Sequence, residues 1–138
     1  ALLTQKDSIE EGMIMLLKEV RNIVVTMGGE GAFLGNDSGL KNVAGYRVEV
    51  VDATGCGDSF VAGILAQIDS YGGVSAGWKI PQKTFEAFVR FGHACGALTA
   101  TARGVIPALP TREAVENFLR ERGEQILGKD TNCTSFSG

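Results

Sequence analysis

The stretch VDATGCGDSFVAGILAQI, residues 51–68, joins two aspartates, Asp52 and Asp58, through a Gly-Cys-Gly turn that runs straight into apolar residues at helical spacing. Glycines at a strand-to-helix junction let successive backbone N–H groups turn toward one point, and the helix behind them adds its partial positive charge. Such a place attracts anions. Around a transferring phosphoryl group, Gly55, Cys56 and Gly57 would stabilise the charge that develops on its oxygens. Asp58, in the first helical turn, would accept the proton of an attacking hydroxyl. The same residues also make an ordinary helix start, because Asp is favoured in a first turn and glycines commonly precede helices. Taken alone, Gly-x-Gly-Asp leaves the two readings evenly balanced. The string is neither a P-loop, since no lysine follows the glycines, nor a dinucleotide fingerprint, since Phe60 stands where a third glycine belongs.

The elements around this stretch must hold it. Ile9, Met13, Leu16, Leu17 and Val20 recur at helical spacing behind Asp7 or Ser8 as N-cap, which predicts a one-faced surface helix. NIVVTM, residues 22–27, is a continuous apolar run ended by GGEG, and it reads as a strand buried on both faces, as in a parallel sheet. Asn36, Asp37, Ser38 and Gly39 mark a hairpin, and YRVEVV, residues 46–51, reads as a further strand. Beyond the opening motif, Phe60, Val61, Ile64, Leu65 and Ile68 form an apolar helix face broad enough to be buried against a sheet. Residues 69–81, with the single tryptophan Trp78, read as a surface connection. A long helix over 83–101 carries Phe85, Phe88, Val89, Cys95 and Leu98, with Gly92, Ala94, Gly96 and Ala97 permitting close packing. After the loop ARGVIPALP, a last helix starts at a Thr111 cap and turns Ala114, Val115, Phe118 and Leu119 inward. The polar tail, residues 128–138, is expected to be disordered, and no internal repeat is visible.

Composition narrows the class. The 138 residues fit one domain, with 44% hydrophobic and 21% charged residues, a globular balance. A net charge of −3 argues against a nucleic-acid surface. No apolar run reaches the roughly 18 residues of a membrane helix, and no signal peptide is apparent. Cys56, Cys95 and Cys133 are odd in number and unpaired in spacing, so neither a zinc site nor a disulfide framework is indicated and a reducing, intracellular compartment is expected. The opening ALLTQKDSIEE, without a starting methionine, reads as the middle of a loop before a helix, and a fragment or processed chain is expected.

VDATGCGDSF resembles the D-T-x-G-A-G-D-x-F signature of the phosphofructokinase-B, or ribokinase-like, carbohydrate kinases. VVTMGGEGAFL is similar to that family's T-x-G-x-x-G nucleotide segment, and FGHACGALTATARGVIPALPT to its C-terminal segment, in the manner of the fructokinase-like branch. Three segments in the family's order span the chain from near Ile9 to about Leu119. The resemblance implies a three-layer α/β/α sandwich with a mostly parallel central sheet, of which residues 1–127 form the C-terminal portion.

It also implies an ATP-dependent kinase that phosphorylates a sugar hydroxyl, with fructose or a related ketose first and a nucleoside or inositol as alternatives. Asp58 matches the catalytic base, and Gly55, Cys56 and Gly57 match the anion hole. Thr26, Gly28, Gly31 and again Gly57 match the nucleotide-binding positions, and His93 falls where many members place an asparagine beside the adenine. Asp52 and Thr54, with backbone at Ala102 and Gly104, match positions that help hold a monovalent cation such as K+. Mg2+ is implied with ATP, nucleic acid and membrane partners are not, and a homodimer would form through the family's N-terminal lid region. The implied location is the cytoplasm, or a plastid if a targeting segment has been removed.

Three departures stand out. Cys56 replaces the usual alanine, which raises an expectation of oxidation sensitivity. His93 replaces asparagine, although a lone histidine in an apolar helix reads equally as a packing residue. The family's N-terminal portion, with most sugar-binding residues and the N-x-x-E magnesium motif, has no counterpart. The alternative from another class is a non-catalytic, kinase-like binding or regulatory subunit.

Overall fold

A computed structural model describes residues 5–72, 75, 78–101 and 110–123. The expected loop 102–110, apart from Pro110, and the tail 128–138, and with it the outer domain boundary, fall outside the described residues. In chain order the elements are α1 (Gln5–Leu16), β1 (Ile23–Thr26), a 3-10 turn (Gly28–Glu30), β2 (Ala32–Asn36), β3 (Gly39–Val43), α2 (Cys56–Tyr71), α3 (Gln82–Ala100) and α4 (Arg112–Glu121).

The three strands form an antiparallel meander in the order β1-β2-β3. Ile23 pairs with Gly35 and Thr26 with Ala32, then Ala32 pairs with Val43 and Asn36 with Gly39. The parallel pairing expected of NIVVTM is therefore absent among the described residues. A parallel partner needs a crossover of a dozen or more residues, whereas residues 27–31 turn back at once, with the Met27 N–H donating to the Gly31 carbonyl at 2.8 Å. β1 is half-buried rather than covered on both faces. The hairpin at Asn36–Gly39 forms as expected, its turn tied by the Ser38 N–H donating to Asn36 Oδ1 at 2.9 Å.

Strand alternation gives β2 two destinations. Ala32 and Leu34 face the core that contains Phe60, Ile64, Phe85 and Phe88. Gly35 faces α1, where an added Cβ would lie 3.1 Å from Met13 and 3.3 Å from Leu17. Helix, sheet and helix thus stack as three layers around β2. α1 starts at Gln5, so Asp7 lies in its first turn and is not its cap. Its expected face is only partly used: Met13 is buried while Leu16 and Val20 are exposed.

α3 is the central element, with one side on α2 and the sheet and the other, through Phe91, Ala94 and Cys95, on Val115, Phe118 and Leu119 of α4. Burial pushes the Cys95 thiol up to about 11. α2 and α3 meet backbone to backbone: an added Cβ at Gly92 would lie 2.9 Å from the Phe60 carbonyl oxygen, and one at Gly63 2.7 Å from Cys95 Sγ. The small residues foreseen on α3 therefore set the helix separation. Thr111 caps α4, its Oγ1 accepting from the Ala114 N–H at 3.1 Å. Glu86 of α3 is ion-paired with Lys41, 2.8 Å away, and with Arg90. Its carboxyl sits below the usual range although burial acts in the other direction.

Two expectations change. Residues 46–51 form no strand, for no described strand lies alongside them; Tyr46 and Val48 pack instead on the α3–α4 core. α2 extends to Tyr71, so the surface connection is shorter than expected, and Val61 and Leu65 on its predicted apolar face are exposed.

Candidate active site

The motif of residues 51–58 is anchored to the C-terminal end of α3. The N–H groups of Val51 and Asp52 donate to the Ala100 carbonyl at 2.7 and 3.1 Å. Asp52 Oδ1 then accepts from the Thr54 N–H at 2.9 Å, a local turn that feeds the chain into Gly55. Gly55 caps α2 at φ +80°, a left-handed conformation that a side chain would strain. No side chain caps this helix start, and an added Cβ at Gly57 would meet nothing within 4 Å, so the first turn borders open space. The Cys56 N–H is drawn back to the Ala53 carbonyl at 3.2 Å, which leaves it less available as an anion donor than the motif alone implies.

Facing this turn is the glycine segment between β1 and β2. Gly31 takes φ +107°, and a Cβ there would lie 2.2 Å from the Val43 carbonyl oxygen, so only glycine permits this contact. Gly28 and Gly29, like Gly57, border open space. Between the two glycine turns lies a cavity of about 330 Å³ lined by Thr26, Gly28, Gly31, Cys56, Gly57 and His93. The structure thus brings together all the residues foreseen for nucleotide binding, from segments far apart in sequence. Asp58 follows in the first turn of α2, exposed to solvent and outside the lining. Asp52, Thr54 and Gly55 do not line the cavity, although Ala53 among them does. Ala102 and Gly104 lie outside the described residues, so only half of the expected cation set is in view.

The cavity also has an apolar wall of Tyr46, Val48, Phe60 and Ala97, of which Tyr46 and Val48 lie outside the motifs. A signal for part of it existed, since Tyr46, Val48 and Val50 alternate and all three line the cavity, although no strand forms. His93 sits against this wall, its ring 4.9 Å from that of Phe60 and its Nε2 3.3 Å from the Val43 carbonyl oxygen. Burial, helped by the Arg90 charge, holds the imidazole below its ordinary pKa despite the Val43 carbonyl, which favours the charged form. Burial and then the Asp52 carboxylate push the Cys56 thiol up. The thiolate that oxidation requires is disfavoured, which runs against the expected oxidation sensitivity.

The residues present fit a nucleotide. The volume falls in the range of small-ligand sites, the backbone is open at three glycines, and an uncapped helix start supplies partial positive charge. Among the described residues no group of three or more His, Cys, Asp or Glu could hold a metal ion by itself.

A profile of the pfkB family carbohydrate kinases matches residues 1–112. The chain is 41% identical over 101 residues to a probable chloroplastic fructokinase-6 of Arabidopsis thaliana, covering 73% of this chain and 25% of that protein. It is 36% identical over 115 residues to fructokinase-1 of Oryza sativa subsp. japonica, covering 82% and 34%. In structure it is similar to a double-mutant fructokinase of Vibrio cholerae in its fructose, ADP and potassium bound form, with a TM-score of 0.67 at 32% identity, covering 80% of this chain and 34% of that one. The chain therefore spans about a third or less of these proteins' lengths. The fold class is that of the ribokinase-like α/β sugar kinases. With a match that takes in both glycine turns and the cavity between them, this chain belongs to the pfkB family of carbohydrate kinases.

Proposed function

We propose that the protein carrying this chain is an ATP-dependent sugar kinase that phosphorylates fructose or a related ketose, and that the chain supplies its nucleotide cavity and its base. The observation that carries this reading is the convergence of Thr26, Gly28, Gly31, Gly57 and His93 on one cavity at the start of α2, with Asp58 in that helix's first turn. The fructose, ADP and potassium of the Vibrio cholerae relative point the same way.

In this reading the glycine segment 28–31 lies along the nucleotide phosphates, and the first turn of α2 points its amides at the terminal one. Asp58 takes the proton from the sugar hydroxyl as that oxygen attacks, and its exposure leaves it accessible to a sugar held by the rest of the protein. Gly57, without a side chain, lets the two reactants approach. ATP supplies the phosphoryl group and Mg2+ offsets its charge. Asp52 and Thr54 would be the described residues that help hold a potassium ion, whose charge would orient the turn rather than take part in the chemistry. The protein acts as a homodimer in the cytoplasm or, as for the chloroplastic relative, in a plastid.

A coupled assay of ADP release across a sugar panel tests the reading. Sugar-dependent ADP production with fructose preferred is the expected result. No ADP production with any sugar would leave a non-catalytic, kinase-like binding protein.

A further inference from the structure

The turn that carries Asp58 is anchored at both of its ends to the last turn of α3. At its start the N–H groups of Val51 and Asp52 donate to the Ala100 carbonyl. At its end stands Ser59, whose N–H donates to the Gly55 carbonyl at 2.9 Å and so closes the first turn of α2 around Cys56, Gly57 and Asp58. The Ser59 side chain reaches α3: its Oγ lies 2.9 Å from Thr99 Oγ1, which is also 2.8 Å from the Cys95 carbonyl oxygen. Both hydroxyl residues are buried.

The chemistry of the groups orders the protons. A carbonyl only accepts and a hydroxyl carries a single proton, so Thr99 donates to Cys95 and accepts from Ser59. A serine in a helix has another choice, the carbonyl one turn back, and a bond of that kind bends the helix. For Ser59 that carbonyl belongs to Gly55, the cap of α2. With Thr99 as its acceptor, Ser59 leaves Gly55 to the helix ladder and the first turn keeps its shape. The Asp58 carboxylate has no support of its own: it is exposed, and among the described residues no hydrogen bond or ion pair holds it. Its place is the place of its backbone, which is fixed at the next residue.

Resting on the kinase reading above, we infer that Thr99 and Ser59 are positioning residues for the proposed base: their hydroxyl pair sets where the first turn of α2, and Asp58 with it, stands relative to the end of α3. Neither residue lines the cavity between the glycine turns. Their loss therefore acts on the rate of proton removal and phosphoryl transfer, which depends steeply on alignment, rather than on nucleotide affinity.

The test is the steady-state kinetics of ADP release by the full-length protein, with ATP and the sugar that supports the fastest release. Thr99→Val keeps the branched shape and deletes the hydroxyl, so kcat should fall about tenfold while KM for ATP changes by less than about twofold. Thr99→Ser, which keeps the hydroxyl, should retain most of the rate. Ser59→Ala should also lower kcat, and adding it to Thr99→Val should slow the enzyme no further, because both changes break one bond. Thr111→Ala, which removes a helix cap outside the cavity, controls for lost stability and should leave kcat unchanged. If Thr99→Val does not fold, as judged by circular dichroism, Ser59→Ala decides, since it leaves Thr99 bonded to Cys95. Unchanged kcat in the folded hydroxyl variants, losses that multiply in the double variant, or an equal loss in Thr111→Ala overturns the inference and leaves the kinase reading standing. No sugar-dependent ADP release by the unaltered protein overturns that reading, and this inference with it.

Discussion

The two sides of α2 are built from similar residues and meet different surroundings. On one side Phe60, Gly63, Ile64 and Ile68 are buried against α3, where glycines on both helices bring the backbones together. On the other, Asp58, Val61 and Leu65 run along an exposed face, and Val61 and Leu65 border an open groove of about 660 Å³ with Val24 and Trp78. The lesson is that helical periodicity marks apolar positions without saying which are used. Contact with α3 assigns the first side to stability. In the function proposed above, the start of α2 gives the second side its chemistry, at Asp58.

If that division is right, substitutions on the two sides have separable effects. The largest is expected at Asp58. In the full-length protein, Asp58→Asn should cut turnover by about 10² to 10⁴ while nucleotide affinity and thermal stability change little. A variant that keeps its rate would remove Asp58 from the mechanism and leave the exposed side without a chemical role. Next comes Gly92→Ala. The added methyl meets the Phe60 carbonyl oxygen at 2.9 Å, and backbone cannot step aside cheaply. Even after a gain of about 1 kcal/mol in helix propensity, the net loss should be about 1 to 2 kcal/mol in urea unfolding. A stabilised variant would show that α2 and α3 are less tightly joined than their backbones imply.

A smaller effect, on neither side of α2, calibrates these. Thr111→Ala removes the cap on α4 and should cost about 1 kcal/mol by the same measurement. The smallest is expected at Leu65, 54% exposed. Leu65→Ser should change stability by less than about 0.5 kcal/mol. A larger loss that grows with protein concentration would mean this face is covered in solution, which would sharpen the contrast by giving the exposed side a partner.

Legibility followed the range of the interactions concerned. The hairpin at Asn36–Gly39 and the Thr111 cap are made by neighbours in sequence, and both formed where local chemistry placed them. The small residues of α3 were also readable, because close helix packing leaves few alternatives at Gly92 and Gly96. The strand expected at Tyr46–Val51 failed for a non-local reason: alternation describes a face, while a strand needs a neighbour to bond with. Antiparallel pairing of β1 was missed because the apolar run IVVT was weighed above the brevity of the turn after it.

The sequence by itself determined the glycine turns, the aspartate at the start of α2 and the family, because left-handed backbone and anion-binding helix starts tolerate few residue types. It also named Thr26, Gly57 and His93 as candidates. Only the tertiary structure decided that they share one cavity, that Tyr46, Val48 and Phe60 wall it, and that His93 Nε2 lies 3.3 Å from the Val43 carbonyl oxygen. Those facts depend on where α3 brings distant segments together, and short-range patterning carries no record of such distances.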